Sequence, residues 1–222
     1  MLRLGSLGKT SIDLDLSFII LIVFFVAMNY NAELGVQYAL IWIPVIFLSV
    51  LIHELAHAGA IAALGFGSSQ IILGGMGGAT FNQRRARPWQ ELVISVAGPA
   101  SSFALAFVVS LMMNNFAVMQ QDPMLRVLLP LLVLANIFWG MFNLIPVAPL
   151  DGGHAVRSFL RMFLDERQAF VGAIWVAFIG GGAIAVYAAM RGQFFIALFI
   201  AWFLYQNFQA WQYFREHGVP GD

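Results

Sequence analysis

Cysteine is absent from the 222 residues. Disulfides and thiolate ligands are thereby excluded, and any bound metal ion has only His, Asp and Glu to hold it. Charge is scarce: Asp, Glu, Lys and Arg make up 10% of the chain, and the formal net charge is zero. A neutral chain has no electrostatic footprint for a polyanion, so no nucleic-acid partner is expected. Internal repeats, low-complexity tracts and a linker to a second folded domain are also missing. No serine sits in a G-x-S-x-G setting, which leaves serine hydrolysis without a recognisable nucleophile. The start, Met1 to Lys9, is polar and glycine-rich and offers no cleavable signal, so the first apolar run reads as a retained span.

What the chain has in excess is apolar surface. Hydrophobic residues make up 61% and mean hydropathy is +0.84, far outside the soluble range. The expectation is an all-α polytopic membrane protein with about six transmembrane helices. The spans fall near residues 17–28, 38–64, 89–113, 124–145, 170–190 and 194–213. Two short β elements interrupt this pattern. Residues 11–16 alternate with a period of two and predict a short N-terminal strand, with Asp13 and Asp15 on its solvated face. Residues 69–81 have two β-prone arms around Gly74, Gly75, Gly77 and Gly78, a hairpin signal. It reads either as a surface loop or as a hairpin beside an active site, where its glycines let another backbone approach.

With six spans, Arg3, Lys9, Arg84, Arg85, Arg87, Arg157, Arg161, Arg167 and Arg215 fall on one side, and Arg126 and Arg191 on the other. That asymmetry predicts cytoplasmic termini. Pro88 suits the first turn of the third span. The small-residue segment from Ala97 to Ser102 favours close helix packing and a kink at Pro99.

From Tyr38 to Gly65 the only ionisable side chains besides Tyr38 itself are His53, Glu54 and His57, in the order His-Glu-Leu-Ala-His. Ionisable groups are costly at membrane depth and are functional by default. On a helix the two histidines share a face one turn apart, within reach of one metal ion, while Glu54 stands beside them to hold a water. This is the H-E-x-x-H arrangement of a zinc hydrolase, which needs a third protein ligand and an open position. The candidates on the same side are Asp151, Asp165, Glu166, Glu91 and His154. Asp151 is preferred because it sits at a break, Asn143-Leu-Ile-Pro-Val-Ala-Pro-Leu-Asp151-Gly-Gly-His154, where two prolines and two glycines forbid a continuous helix. Irregular backbone at membrane depth belongs where it is buried or lines a wet cavity. The competing role for Asp151 is an N-cap of the helix that follows.

His53-Glu54-Leu-Ala-His57, followed by Asn143-x-x-Pro-x-x-Pro-Leu-Asp151-Gly-Gly, resembles the site-2 protease family of intramembrane zinc metalloproteases. The resemblance takes in the glycine hairpin and the Gly98-Pro99 step. It departs at Ala56, where glycine is usual, and shows no PDZ or CBS module, so residues 1–222 are expected to form a single core domain. It implies that His53, His57 and Asp151 bind Zn2+, that Glu54 is the general base, and that Asn143 holds substrate or the developing oxyanion. The hairpin would be a membrane re-entrant element whose Gly74, Gly75, Gly77 and Gly78 contact an unwound substrate. The implied partners are a transmembrane protein substrate and the lipid bilayer, in a bacterial or archaeal cell membrane. Two alternatives stay open: a metal transporter using the same side chains as a transit site, and an inactive relative that only binds.

Overall fold

The computed structural model describes residues 1–31, 35–82, 86–115 and 122–218. Arg84 and Arg85, and most of the polar connection before the fourth span, lie outside the described residues. The chain falls into two compact units, residues 1–85 with 97–140, and residues 86–96 with 141–222.

The first unit begins with β1 (Leu2–Leu7) and β2 (Thr10–Leu14), joined at Gly8-Lys9. Here the expectation of one N-terminal strand needs correction, because there are two. β1 is exposed along its whole length and carries an irregular register at Arg3/Gly5, so no alternation of burial marks it in the sequence. β3 (Ser69–Gly74) and β4 (Gly77–Asn82) form the expected hairpin. All four strands make one sheet in the order β1-β2-β3-β4, with β2 and β3 parallel and the outer pairs antiparallel. Ile71 and Leu73 point to the core with Phe18, Ile46, Val50 and Ala58, which seats the sheet on α1 (Leu16–Met28) and α3 (Trp42–Ala63). A short α2 (Val36–Leu40) precedes α3. The interruption between them follows from Pro44, whose ring conflicts with the carbonyl four residues back, at Leu40. Asp15 caps α1 by accepting from the Ser17 N–H at 2.9 Å, and the Ser17 hydrogen bonds hold its carboxyl below the usual range.

Of the spans expected from the sequence, five are long and apolar enough to cross a membrane, counted over the described residues, and the sixth is a shorter apolar helix. α1 is the exception. Its 13 residues rise about 20 Å, short of a hydrocarbon core of about 30 Å. The third and fourth spans are α4 (Pro88–Asn115), with Pro99 inside it, and α5 (Pro123–Asn143). Pro88 opens α4, as its lost N–H predicts.

The second unit holds the break after α5, then α6 (Asp151–Leu160), α7 (Glu166–Val176), a π turn (Ala177–Gly181), α8 (Gly182–Met190) and α9 (Phe194–His217). Its core gathers Ile145, Val147 and Leu150 of the break with Ala177, Ile200 and Phe203. The irregular backbone is satisfied from α9: Asn207 donates to the Ala148 carbonyl at 2.7 Å and to the Phe203 carbonyl at 2.8 Å. The Gly-Gly step after Asp151 has a steric cause. A Cβ at Gly152 would stand 2.3 Å from the Leu144 carbonyl oxygen, so only glycine lets α6 fold back against the break.

Candidate metal centre

His53, Glu54 and His57 lie mid-way along α3 and are 2, 3 and 6% exposed, so the motif is buried as a block. One helical turn separates the two imidazoles, whose ring centroids are 4.9 Å apart. Their aim is set by α4. A Cβ at Gly98 would fall 2.2 Å from His57 Nε2 and 2.5 Å from His53 Nε2, so both Nε2 atoms converge on the space over that glycine. His53 Nδ1 is 3.0 Å from Ser102 Oγ, one turn along α4 and fully buried. A hydrogen bond at Nδ1 fixes the ring and turns Nε2 toward a ligand position, as the outer partner of a metal-bound histidine does. The segment 97–102 therefore does more than pack: Gly98 makes room and Ser102 orients.

Glu54 is held by the hairpin. Thr80 Oγ1 donates to Glu54 Oε2 at 2.8 Å, and also lies 3.2 Å from the Glu54 carbonyl oxygen. Strand β4 comes this close because Gly78 has no side chain; a Cβ there would be 2.4 Å from Glu54 Cγ. Of the other hairpin glycines, Gly77 abuts the Trp139 ring, and Gly74 and Gly75 abut Ser17, whose Oγ accepts the Gly75 N–H at 2.8 Å. The hairpin thus lies beside the motif, and its glycines admit this chain's own helices. One turn before His53 on α3, Ser49 accepts a hydrogen bond from buried Asn136 at 2.9 Å.

Asp151 is the first residue of α6. The N-cap is Leu150, which settles the competing role against a capping aspartate. The other carboxylates weighed as third ligand are engaged elsewhere. Asp165 caps α7 by accepting from Gln168 N at 2.7 Å. Glu91 accepts from Arg161 at 2.5 Å and from Ser158 at 3.2 Å, and Glu166 pairs with Arg157 and Arg161. His154 is exposed, and Asn143 is the half-buried last residue of α5. His53 and His57 in the first unit and Asp151 in the second are the residues whose chemistry suits a metal ion. Two imidazoles and one carboxylate, all from His and Asp in a chain without thiols, are the donor set of a catalytic zinc site with a position left open. Thr80 and Ser102 escaped the sequence reading. Their only signal is spacing: Thr80 is two residues after Gly78 on one strand face, and Ser102 four after Gly98 on one helix face.

Known proteins resemble this chain in sequence and in fold. The peptidase family M50 profile matches residues 110–187, which include Asn143 and Asp151. A putative zinc metalloprotease of Synechocystis sp. is 29% identical over 171 residues, covering 73% of this chain and 44% of that protein. A zinc metalloprotease of Methanocaldococcus jannaschii is 27% identical over 192 residues, 86% of this chain and 53% of that protein. The putative zinc metalloprotease Rip3 of Mycobacterium tuberculosis is 33% identical over 166 residues, 71% of this chain and 42% of that protein. The chain thus spans about half the length of the curated relatives it matches. Among solved structures, the site-2 protease from Methanocaldococcus jannaschii superposes with a TM-score of 0.60 at 23% identity, over 94% of each chain. With spans that make it a multi-pass membrane protein, the chain has the fold of a site-2 protease and is similar over residues 110–187 to peptidase family M50 and over longer stretches to proteins named zinc metalloproteases.

Proposed function

We propose that this protein is a zinc endopeptidase that hydrolyses peptide bonds in or near the transmembrane segments of membrane-protein substrates, with residues 1–222 acting as one catalytic core. The observation that carries this reading is the convergence of both histidine Nε2 atoms over Gly98, with a carboxylate held beside them by Thr80. His53, His57 and Asp151 are the ligands in this reading. Zinc held there supplies a Lewis acid that acidifies water and polarises a carbonyl. Glu54 takes the proton of the attacking water and delivers it to the leaving amine nitrogen. Asn143 donates a neutral hydrogen bond to the oxyanion that develops on the scissile carbonyl.

A transmembrane helix shields its own peptide bonds, so the substrate has to unwind before it is cut. In this reading the hairpin re-enters the membrane, and β4, the last strand of the sheet, pairs with the unwound segment by main-chain hydrogen bonds. The physiological role that fits is regulated intramembrane proteolysis in a bacterial or archaeal cell membrane, with both termini cytoplasmic as the distribution of Arg and Lys suggests. The test is zinc analysis of the purified protein, paired with cleavage of a model single-span substrate by wild type and Glu54→Gln. A protease loses turnover in the variant and keeps its zinc. Altered metal affinity with no cleavage by wild type would point to a transit site.

A further inference from the structure

Thr80 has no part in the metal-ligand set, yet its hydroxyl reaches the one carboxylate that the reaction turns on. We infer that Thr80 is a positioning residue for Glu54, and that it ties the strand offered to substrate to the group that moves the proton; this rests on the protease reading above. Three observations meet here. Thr80 Oγ1 has a single proton and two acceptors in range, Glu54 Oε2 at 2.8 Å and the Glu54 carbonyl oxygen at 3.2 Å. The carboxylate oxygen is nearer and charged, and a hydrogen bond to an ionised acceptor is roughly twice as strong as a neutral one. That bond stops rotation about the last C–C bond of Glu54 and gives Oε1 one place, beside Gly78, within 2.6 Å of where a Cβ would be.

The second observation is burial. Glu54 is 3% exposed, so bulk solvent screens the Thr80 hydrogen bond little and the bond is electrostatically stronger than at a surface. The third is topology. Thr80 pairs with Ile71 in β3, and among the described residues its strand is the outermost of the sheet, leaving the far side of β4 for an extended segment. A peptide seated along that edge settles the register of β4, and with it the position of the Thr80 hydroxyl. The base is thereby aligned by the same strand that aligns the substrate. Displacement of a catalytic group by about 1 Å costs on the order of 100-fold in rate.

The experiment compares wild type, Thr80→Val, Thr80→Ser and Glu54→Gln as full-length zinc-loaded proteins on one single-span substrate, with kcat, KM and zinc content read separately. Valine keeps the shape and removes the hydroxyl; serine keeps the hydroxyl. Thr80→Val is expected to lower kcat by about 10- to 100-fold with KM and zinc content within about twofold, and Thr80→Ser to recover most of that loss. Thr80→Val turning over like wild type overturns the inference, as does an equal loss in the serine and valine variants, or a loss that tracks zinc content or KM. Cleavage by wild type but not by Glu54→Gln, with Thr80→Val unimpaired, leaves the protease reading standing and removes Thr80 alone. No cleavage by wild type takes down both.

Discussion

The helix that carries His53, Glu54 and His57 and the break that carries Asp151 solve one problem in opposite ways. In α3 the ionisable groups lie within about one turn of regular helix, so their relative placement is set by the 3.6-residue repeat, and neighbours need only make room. Gly98 and Gly78 are those concessions, on α4 and β4. At residues 144–150 there is no repeat to rely on. The backbone leaves the helix, and its polar groups have to be met one at a time, by turns within the break and by Asn207 from α9. A regular element places chemistry at the expense of its neighbours' side chains. An irregular one places it at the expense of its own backbone hydrogen bonding.

The comparison can be broken or sharpened by substitution. The largest effect is expected for Glu54→Gln, which removes a proton acceptor without changing shape: turnover should fall by about 100- to 10,000-fold while zinc measured by atomic absorption stays near one per chain. Gly98→Ala tests the room left beside α3. Its Cβ would sit within 2.5 Å of both Nε2 atoms, so the imidazoles have to move, and zinc content should drop severely even though no ligand has been changed. Ser102→Ala removes the partner of His53 Nδ1 and should weaken zinc binding by about 10- to 100-fold in a chelator competition. Asn207→Leu tests the break. It leaves the Ala148 carbonyl unmet inside the second unit, and should cost about 1–3 kcal/mol of stability, read as a lowered unfolding temperature in detergent. Equal tolerance of Gly98→Ala and Asn207→Leu would remove the contrast between the two regions.

The hydrophobic spans, the motif helix, the hairpin at residues 69–81 and the break before Asp151 were legible in the sequence, because each has a local signature in periodicity or in Gly and Pro content. The carboxylates weighed beside Asp151, namely Glu91, Asp165 and Glu166, lie among the charges of helix starts and turns, where Asp165 caps a helix and the two glutamates pair with arginines. β1 was not legible, being an edge strand with no buried face to impose alternation. The start of α1 was only partly so, because the alternation of residues 11–16 predicts a solvated strand face for Asp15, whereas Asp15 caps the helix that begins at Leu16. Ser102 and Thr80 were read as small or β-prone filler. Nothing in their own neighbourhoods distinguishes them.

What the linear chain determined by itself is the chemistry available: no thiols, few charges, and a histidine pair with a glutamate at helical spacing in an apolar run, because residue type and spacing along a helix are local properties. The tertiary structure decided which small residues serve that chemistry. Gly98, Ser102, Gly78 and Thr80 lie 24 to 49 positions from the motif residue each one touches, a distance the fold closes and no local pattern records. Contacts between distant segments depend on how whole elements pack, and packing is a property of the assembled core rather than of any stretch within it.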